Sequence, residues 1–287
     1  MQVKEQIDGS DQQELYDEQG RLIQITTRQG HVTHLNHDLA STEGGDDNAS
    51  TLDKVIGPFG HTLTFNYQID GKLAEINTSD GVIQYDYDTS GNLISVTYTD
   101  GSTNLYHYEN SVFLHHLTGI TDEKGKRFAS WDYDGQGKVT RSEHAHQSEQ
   151  VALTYNDNGT TTISDALGTV SIYHFDWIKG SLKVAKITGE RCSTCGNGDM
   201  KERSYDTHGF LASDTDWNGN LTTYTRDATG LELSRTEASG TAEARIISTE
   251  WHADFRVPVR ITQPGKVTEY RYDAHGRLLS QTARNAQ

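Results

Sequence analysis

The sequence predicts an all-β protein built from tandem β-hairpins in an antiparallel sheet, and three observations predict it. A Tyr-x-x-x-Gly element recurs along the chain, a second glycine stands at a near-constant distance before the next tyrosine position, and aromatic residues alternate two apart ahead of each element. The element occurs at Tyr16/Gly20, Tyr67/Gly71, Tyr87/Gly91, Tyr133/Gly137, Tyr155/Gly159, Tyr205/Gly209 and Tyr272/Gly276, with Arg226/Gly230 as a degenerate copy. Tyr67 to Tyr87 is 20 residues, Tyr87 to Tyr108 is 21, Tyr133 to Tyr155 is 22, and Trp251 to Tyr272 is 21. A fixed period of this size marks a repeat architecture.

Each period folds back on itself for a chemical reason. Aspartate after the tyrosine (Asp88, Asp134, Asp206, Asp273) bonds its own backbone two residues on, and the glycine takes the left-handed conformation that closes the turn, so Tyr-Asp-x-x-Gly is a hairpin tip. The opposite turn carries the second glycine, seven residues before the next tip position: Gly60 to Tyr67, Gly101 to Tyr108, Gly168 to Phe175, Gly219 to Arg226 and Gly265 to Tyr272. Two turns per period leave two strands of roughly 5 to 7 residues. Pairs such as Phe65 and Tyr67, Tyr85 and Tyr87, Trp131 and Tyr133, and Tyr270 and Tyr272 then share one face, and Leu or Val two residues past the tip glycine (Leu22, Leu73, Leu93, Val139, Leu211, Leu278) joins them. Cross-strand pairs of this kind contribute roughly 0.2 to 1 kcal/mol each.

Composition narrows function. Of 287 residues, 33% are hydrophobic and 23% charged, which suits a folded chain with a thin core and excludes a solvated, disordered tail. A formal charge of -16 repels a phosphate backbone, so nucleic acid is not an expected partner. No run approaches a membrane span, and the start has no apolar segment of a secretory signal, so the expectation is export without that signal or a portion of a larger protein. Two cysteines rule out a disulfide framework.

The remaining candidates for chemistry are few. Cys192-Ser-Thr-Cys195 has the spacing of half a zinc site, which would need a histidine such as His174 or His208 to complete it, or of a disulfide; a plain loop with two thiols is the third reading. The segment lies in an expected loop at 189–200, and a second insertion loop is expected at 39–52, within one repeat region spanning 1–287. Asp214, Asp216 and Asn218 before Gly219 look like the start of a calcium loop, but Thr225 stands where a glutamate belongs, and the same letters make a turn in phase with the repeat. His31 with His37, and His144 with His146, read as solvent-facing or ladder histidines, and the paired aspartates as turn residues. No catalytic set, cofactor or metal is expected.

The tips YDEQGRL (16–22), YDTSGNL (87–93), YDTHGFL (205–211) and YDAHGRL (272–278), with TDEKGKR (121–127), SDALGTV (164–170) and DWNGN (216–220) between them, resemble the bacterial Rhs or YD-repeat proteins. That family includes the C components of insecticidal Tc toxins and the animal teneurins, and the resemblance covers roughly residues 14 to 285. It implies a curved, spiralling strip of antiparallel sheet that closes as a hollow shell around a C-terminal toxin until delivery. Implied partners are that toxin domain and the remaining shell of the same polypeptide, proteins of a secretion machine such as type VI, and glycans, with a secreted or cell-surface bacterial location. The family's self-cleaving core contains Asp-Pro, a dipeptide missing here, so the chain reads as an internal, non-catalytic repeat portion and autoproteolysis is not carried over. The alternative is a carbohydrate or cell-surface binding module using exposed aromatics, with Trp131 and Trp217 as the residues to watch. In resembling proteins a similar cysteine pair implies a local staple.

Overall fold

A computed structural model describes residues 4–7, 12–39, 50–144, 149–189 and 200–286. Among these residues there are twenty-five strands and no helix. The backbone gathers into two compact units, residues 1–131 with 274–277, and residues 132–273 with 278–287, where the sequence reads as one repeat region.

In the first unit β1 (Lys4–Ile7), β2 (Gln13–Tyr16), β3 (Leu22–Thr26), β4 (Val32–Leu39), β5 (Ser50–Ile56), β6 (Thr62–Tyr67), β7 (Leu73–Thr78), β8 (Gly81–Tyr87), β9 (Leu93–Thr97), β10 (Thr103–His107), β11 (Gly119–Thr121) and β12 (Arg127–Tyr133), whose last two residues belong to the second unit, follow as a meander. Each is hydrogen-bonded antiparallel to the next. The second unit repeats the pattern with β13 (Val139–His144), β14 (Val151–Tyr155), β15 (Thr161–Asp165), β16 (Val170–Ile178), β17 (Ser181–Gly189), β18 (Met200–Tyr205), β19 (Leu211–Thr215), β20 (Leu221–Arg226), β21 (Glu232–Glu237), β22 (Arg245–Trp251), β23 (Pro258–Gln263), β24 (Lys266–Tyr272) and β25 (Leu278–Arg284).

One irregularity recurs at the tips. In β8–β9 the register runs Gln84↔Thr97, Tyr85↔Val96 and Asp86↔Ser95, then slips so that Tyr87 faces Leu93. The same slip precedes Tyr16, His37, Tyr67, Tyr205, Arg226, Trp251 and Tyr272. A β-bulge adds one residue to one strand and re-aims the side chain beside it, here the tip aromatic.

The core is thin. Among the described residues, the hydrophobic side chains that count as buried are Val96, Ala129, Ile247, Val257 and Val267, at 3 to 8% exposure. Most strand residues are half-buried, as expected where one sheet packs mainly through neighbouring side chains. The face opposite the aromatics carries polar and charged residues together with exposed Val82, Leu105, Phe128 and Ile246. In the second unit it carries cross-strand ion pairs, with Arg260 bridging Glu250 at 3.0 Å and Glu269 at 3.3 Å. Such exposed pairs add little stability.

Besides the tip at residues 108–118, the repeat is interrupted as follows. Gly180 arrives one residue later after Phe175 than a tip glycine would, so β16 and β17 run on for nine residues each and turn at Lys179 and Gly180, with φ 50° and 78°. Positive φ at both residues is the geometry of a two-residue type I′ turn. The loop expected at 39–52 is narrower, because β4 reaches Leu39 and β5 begins at Ser50; residues 40–49 lie outside the described residues. Gly189 closes β17 and Met200 opens β18, so Cys192 and Cys195 also lie outside the described residues.

Candidate functional site

The site is the set of hairpin tips, and those that carry aspartate are built on one plan. At residues 88–92 the Asp88 Oδ1 accepts hydrogen bonds from the N–H of Ser90 (2.9 Å) and Asn92 (2.8 Å), while the N–H of Gly91 donates to the Asp88 carbonyl (3.0 Å) and Gly91 has φ 87°. The pattern repeats at Asp17, Asp134 and Asp206, and the opposite turns at Asp122, Asp165 and Asp216 use it too. Backbone donors favour the ionised carboxylate. The N–H of Lys138 holds Asp134 below its ordinary range, against some desolvation and with help from the N–H of Gln136; Thr169 does the same for Asp165.

The tip aromatic then reaches across to the preceding hairpin. The Tyr87 hydroxyl donates to the carbonyl of Leu73 at 3.0 Å, Tyr67 to Leu52 at 2.8 Å, Tyr155 to Val139 at 2.9 Å, Tyr205 to Val184 at 2.9 Å and Tyr272 to Pro258 at 2.8 Å. Other side chains make the same rung. Trp251 Nε1 donates to Glu232 O at 2.9 Å, Arg226 Nε to Leu211 O at 3.3 Å, and His37 Nε2 lies 2.8 Å from Leu22 O. Since a carbonyl only accepts, His37 carries its proton on Nε2 in this contact. In all eight rungs the acceptor is the first residue of the return strand or, in the two lengthened hairpins β4–β5 and β16–β17, the residue facing the tip aromatic. Pro258 fits because only its carbonyl is used.

Cations and glycines close the spacing between tips. Lys72 lies over the Tyr87 ring at 5.7 Å, Lys138 over Tyr155 at 5.0 Å and Lys183 over Tyr205 at 5.0 Å. A Cβ on Gly230 would lie 2.7 Å from the Phe210 ring, so any larger residue there requires Phe210 to shift, quite apart from the φ of 87°. Burial pushes the Tyr67 and Tyr87 phenols up, with Asp53 adding to the rise at Tyr67. Both therefore stay protonated as donors.

The other candidates fall as follows. Tyr16 donates to Glu14 Oε2 at 2.6 Å rather than to a preceding hairpin. Gly20, Gly71, Gly137, Gly159, Gly209 and Gly276 all have φ between 72° and 88°. Tyr133 is half-buried, and Asp273 stands at the tip after Tyr272. Trp131 and Trp217 are half-buried, whereas Trp177 is 73% exposed. Asp214 is held by Arg203 at 2.9 Å, and Asp216 is taken up by its turn. His174 Nε2 is 3.3 Å from Thr188 Oγ1 and His208 stacks near Phe210. Among the described residues no group of three or more metal-ligating side chains gathers.

The sequence places His37 among solvent-facing or ladder histidines without distinguishing the two, and the structure puts it in a rung. The signal was present, for His37 lies 21 residues after Tyr16, one full period.

Hairpins of fixed period, eight of them tied to the preceding hairpin by a side-chain rung, define a tandem β-hairpin repeat protein. The chain carries RHS repeats: residues 70–103 and 258–287 match the family model described as RHS Repeat. Its fold is similar to that in the crystal structure of TcdB2-TccC3 without hypervariable C-terminal region (TM-score 0.56, 12% identity, 96% of this chain and 18% of that chain). It is also similar to TcdB2-TccC3 (TM-score 0.51, 16% identity, 99% and 16%) and TcdB2-TccC3-TEV (0.51, 16%, 99% and 15%). The chain thus spans less than a fifth of those structures' length, and at these identities the likeness is one of fold. No curated protein matches the chain in sequence.

Proposed function

We propose that the chain is a non-catalytic wall segment of a secreted RHS-type toxin container, enclosing a C-terminal effector of the same polypeptide until delivery. One observation carries this reading. Each stretch that matches the RHS Repeat model contains a complete rung, Leu73 with Tyr87 in one and Pro258 with Tyr272 in the other, so the family signature and the device that joins hairpins coincide. Rungs of this kind give a structure extensible by repetition, which suits enclosure. Similarity of fold to TcdB2-TccC3 along nearly the whole chain supports the same reading.

Limited proteolysis of the polypeptide that carries this chain tests it. Enclosure predicts a C-terminal domain cut far more slowly inside the intact protein than as a free domain, and equal rates contradict the proposal. Saturable binding on a glycan array, lost on Trp131→Ala or Trp217→Ala, would favour a binding module instead.

A further inference from the structure

We infer that a recess beside the tip at residues 16–21 binds a small organic carboxylate with an apolar body. The recess has a volume of about 440 Å³, within the size range of small-molecule sites. Leu15, Ile23 and Leu35 give it apolar surface, and Arg21, His34 and Asn36 give it polar groups. The repeat is left open at this level. Elsewhere the residue before the tip aromatic is bonded across to the return strand: Ser95 Oγ donates to Asp86 Oδ2 at 2.8 Å, the hydroxyls of Ser204 and Ser213 lie 2.6 Å apart, and Arg260 bridges Glu250 at 3.0 Å. Here that residue is Leu15, which offers no such bond, and its partner Gln24 turns to Thr26 Oγ1 at 3.1 Å. His34, which faces Gln24 from the next strand, and Asn36 are exposed and have no side-chain bond among the described residues.

Arg21 selects the ligand. Its Nε donates to Asp17 Oδ2 at 2.6 Å, which fixes the guanidinium, and its two terminal nitrogens have no acceptor among the described residues. Lys72, at the equivalent place after Gly71, is already engaged, since it pairs with Asp70 and lies over the Tyr87 ring at 5.7 Å. Other arginines of this sheet take a second carboxylate once the first is in place. Arg141 holds Asp132 at 2.7 Å and Glu143 at 3.2 Å, and Arg235 holds Glu237 at 2.9 Å and Glu232 at 3.0 Å. Among the described residues Arg21 has only the first. A carboxylate matches the planar fork of guanidinium donors, His34 and Asn36 add donors at the rim, and the leucine and isoleucine surface takes a hydrocarbon body. A doubly charged phosphate fits less well, because the Asp17 carboxylate stands against the same guanidinium. The inference holds whether or not the wall encloses cargo.

The probe is 3-phenylpropionate, titrated calorimetrically onto the intact chain, with 3-phenylpropionamide and inorganic phosphate as controls. The expected result is saturable binding at one site, about tenfold or more tighter than either control, since the amide loses a charge-assisted hydrogen bond. Arg21→Gln is expected to weaken it by about tenfold or more. That change also breaks the pair with Asp17, so a rim variant, His34→Ala with Asn36→Ala, is measured beside it. These exposed residues are expected to weaken binding about two- to tenfold while leaving the urea midpoint in place. No saturable binding, equal binding of the amide or of phosphate, or an affinity unmoved in the rim variant would each overturn the inference.

Discussion

Two neighbouring tips of the first unit, at residues 87–92 and 108–118, close the chain by different means. The first is self-contained, with Asp88 and Gly91 completing the turn within five residues. The second has neither of these, and Thr118 takes over: its N–H donates to His107 O at 2.7 Å, its hydroxyl to the same carbonyl at 2.9 Å, and it accepts from the N–H of Glu109 at 3.0 Å. The longer tip also leans on the shorter one. Asn92 Nδ2 donates to Leu114 O at 3.0 Å as well as to Asp88 Oδ2 at 2.8 Å, and His115 Nδ1 lies 2.6 Å from Asn92 Oδ1. A turn that satisfies its own backbone stands alone, while one that does not must borrow groups from its neighbour, and Asn92 is accordingly 8% exposed.

Breaking that loan gives the largest expected effect. Asn92→Ala removes three side-chain hydrogen bonds at a buried position and is expected to cost about 2 to 4 kcal/mol in urea unfolding. The matched change Asn220→Ala, whose Nδ2 bonds Asp216 Oδ2 at 2.9 Å in an exposed turn, is expected to cost under about 1 kcal/mol. Similar losses from the two changes would mean that the long tip does not depend on the short one.

Glycine sharpens the same contrast. Gly159 and Gly230 share a positive φ, 81° and 87°, yet a Cβ on Gly159 meets nothing within 4 Å. Gly159→Ala is therefore expected to cost about 1 kcal/mol from backbone strain alone, and Gly230→Ala about 2 to 3 kcal/mol, because Phe210 must also move. Equal costs would show that the tips do not pack on one another at Phe210.

The smallest effect is acidic. The turn aspartates have depressed folded-state pKa values, so their stabilisation is present above the unfolded carboxylate value and is lost as pH falls through the folded one. The urea midpoint is expected to be level above about pH 5 and to fall below about pH 4, with Asp134→Asn flattening that fall. An unchanged slope in the variant would remove Asp134 from the account.

Much of this was legible in the sequence. Strand existence, both turn edges and the aromatic face follow from glycine and tyrosine spacing, since turn chemistry is local and the period states it repeatedly. The rung was not legible, because it joins residues such as Tyr205 and Val184, 21 apart and in adjacent strands, through a bulge that no spacing announces. Nor did residue type reveal it, for Tyr, Trp, Arg and His all serve where a flat side chain with a polar end suffices. The dependence of residues 108–118 on Asn92 was hidden as well, because asparagine after a tip glycine reads as an ordinary exposed turn residue.

Hydrogen exchange on Tyr87→Phe tests the central claim most directly, since the change removes a rung and little else, at about 0.5 to 1.5 kcal/mol. If the hydroxyl joins one hairpin to the one before it, β6–β7 and β8–β9 should lose protection together while β2–β3 stays unchanged. Loss confined to β8–β9 would contradict the account.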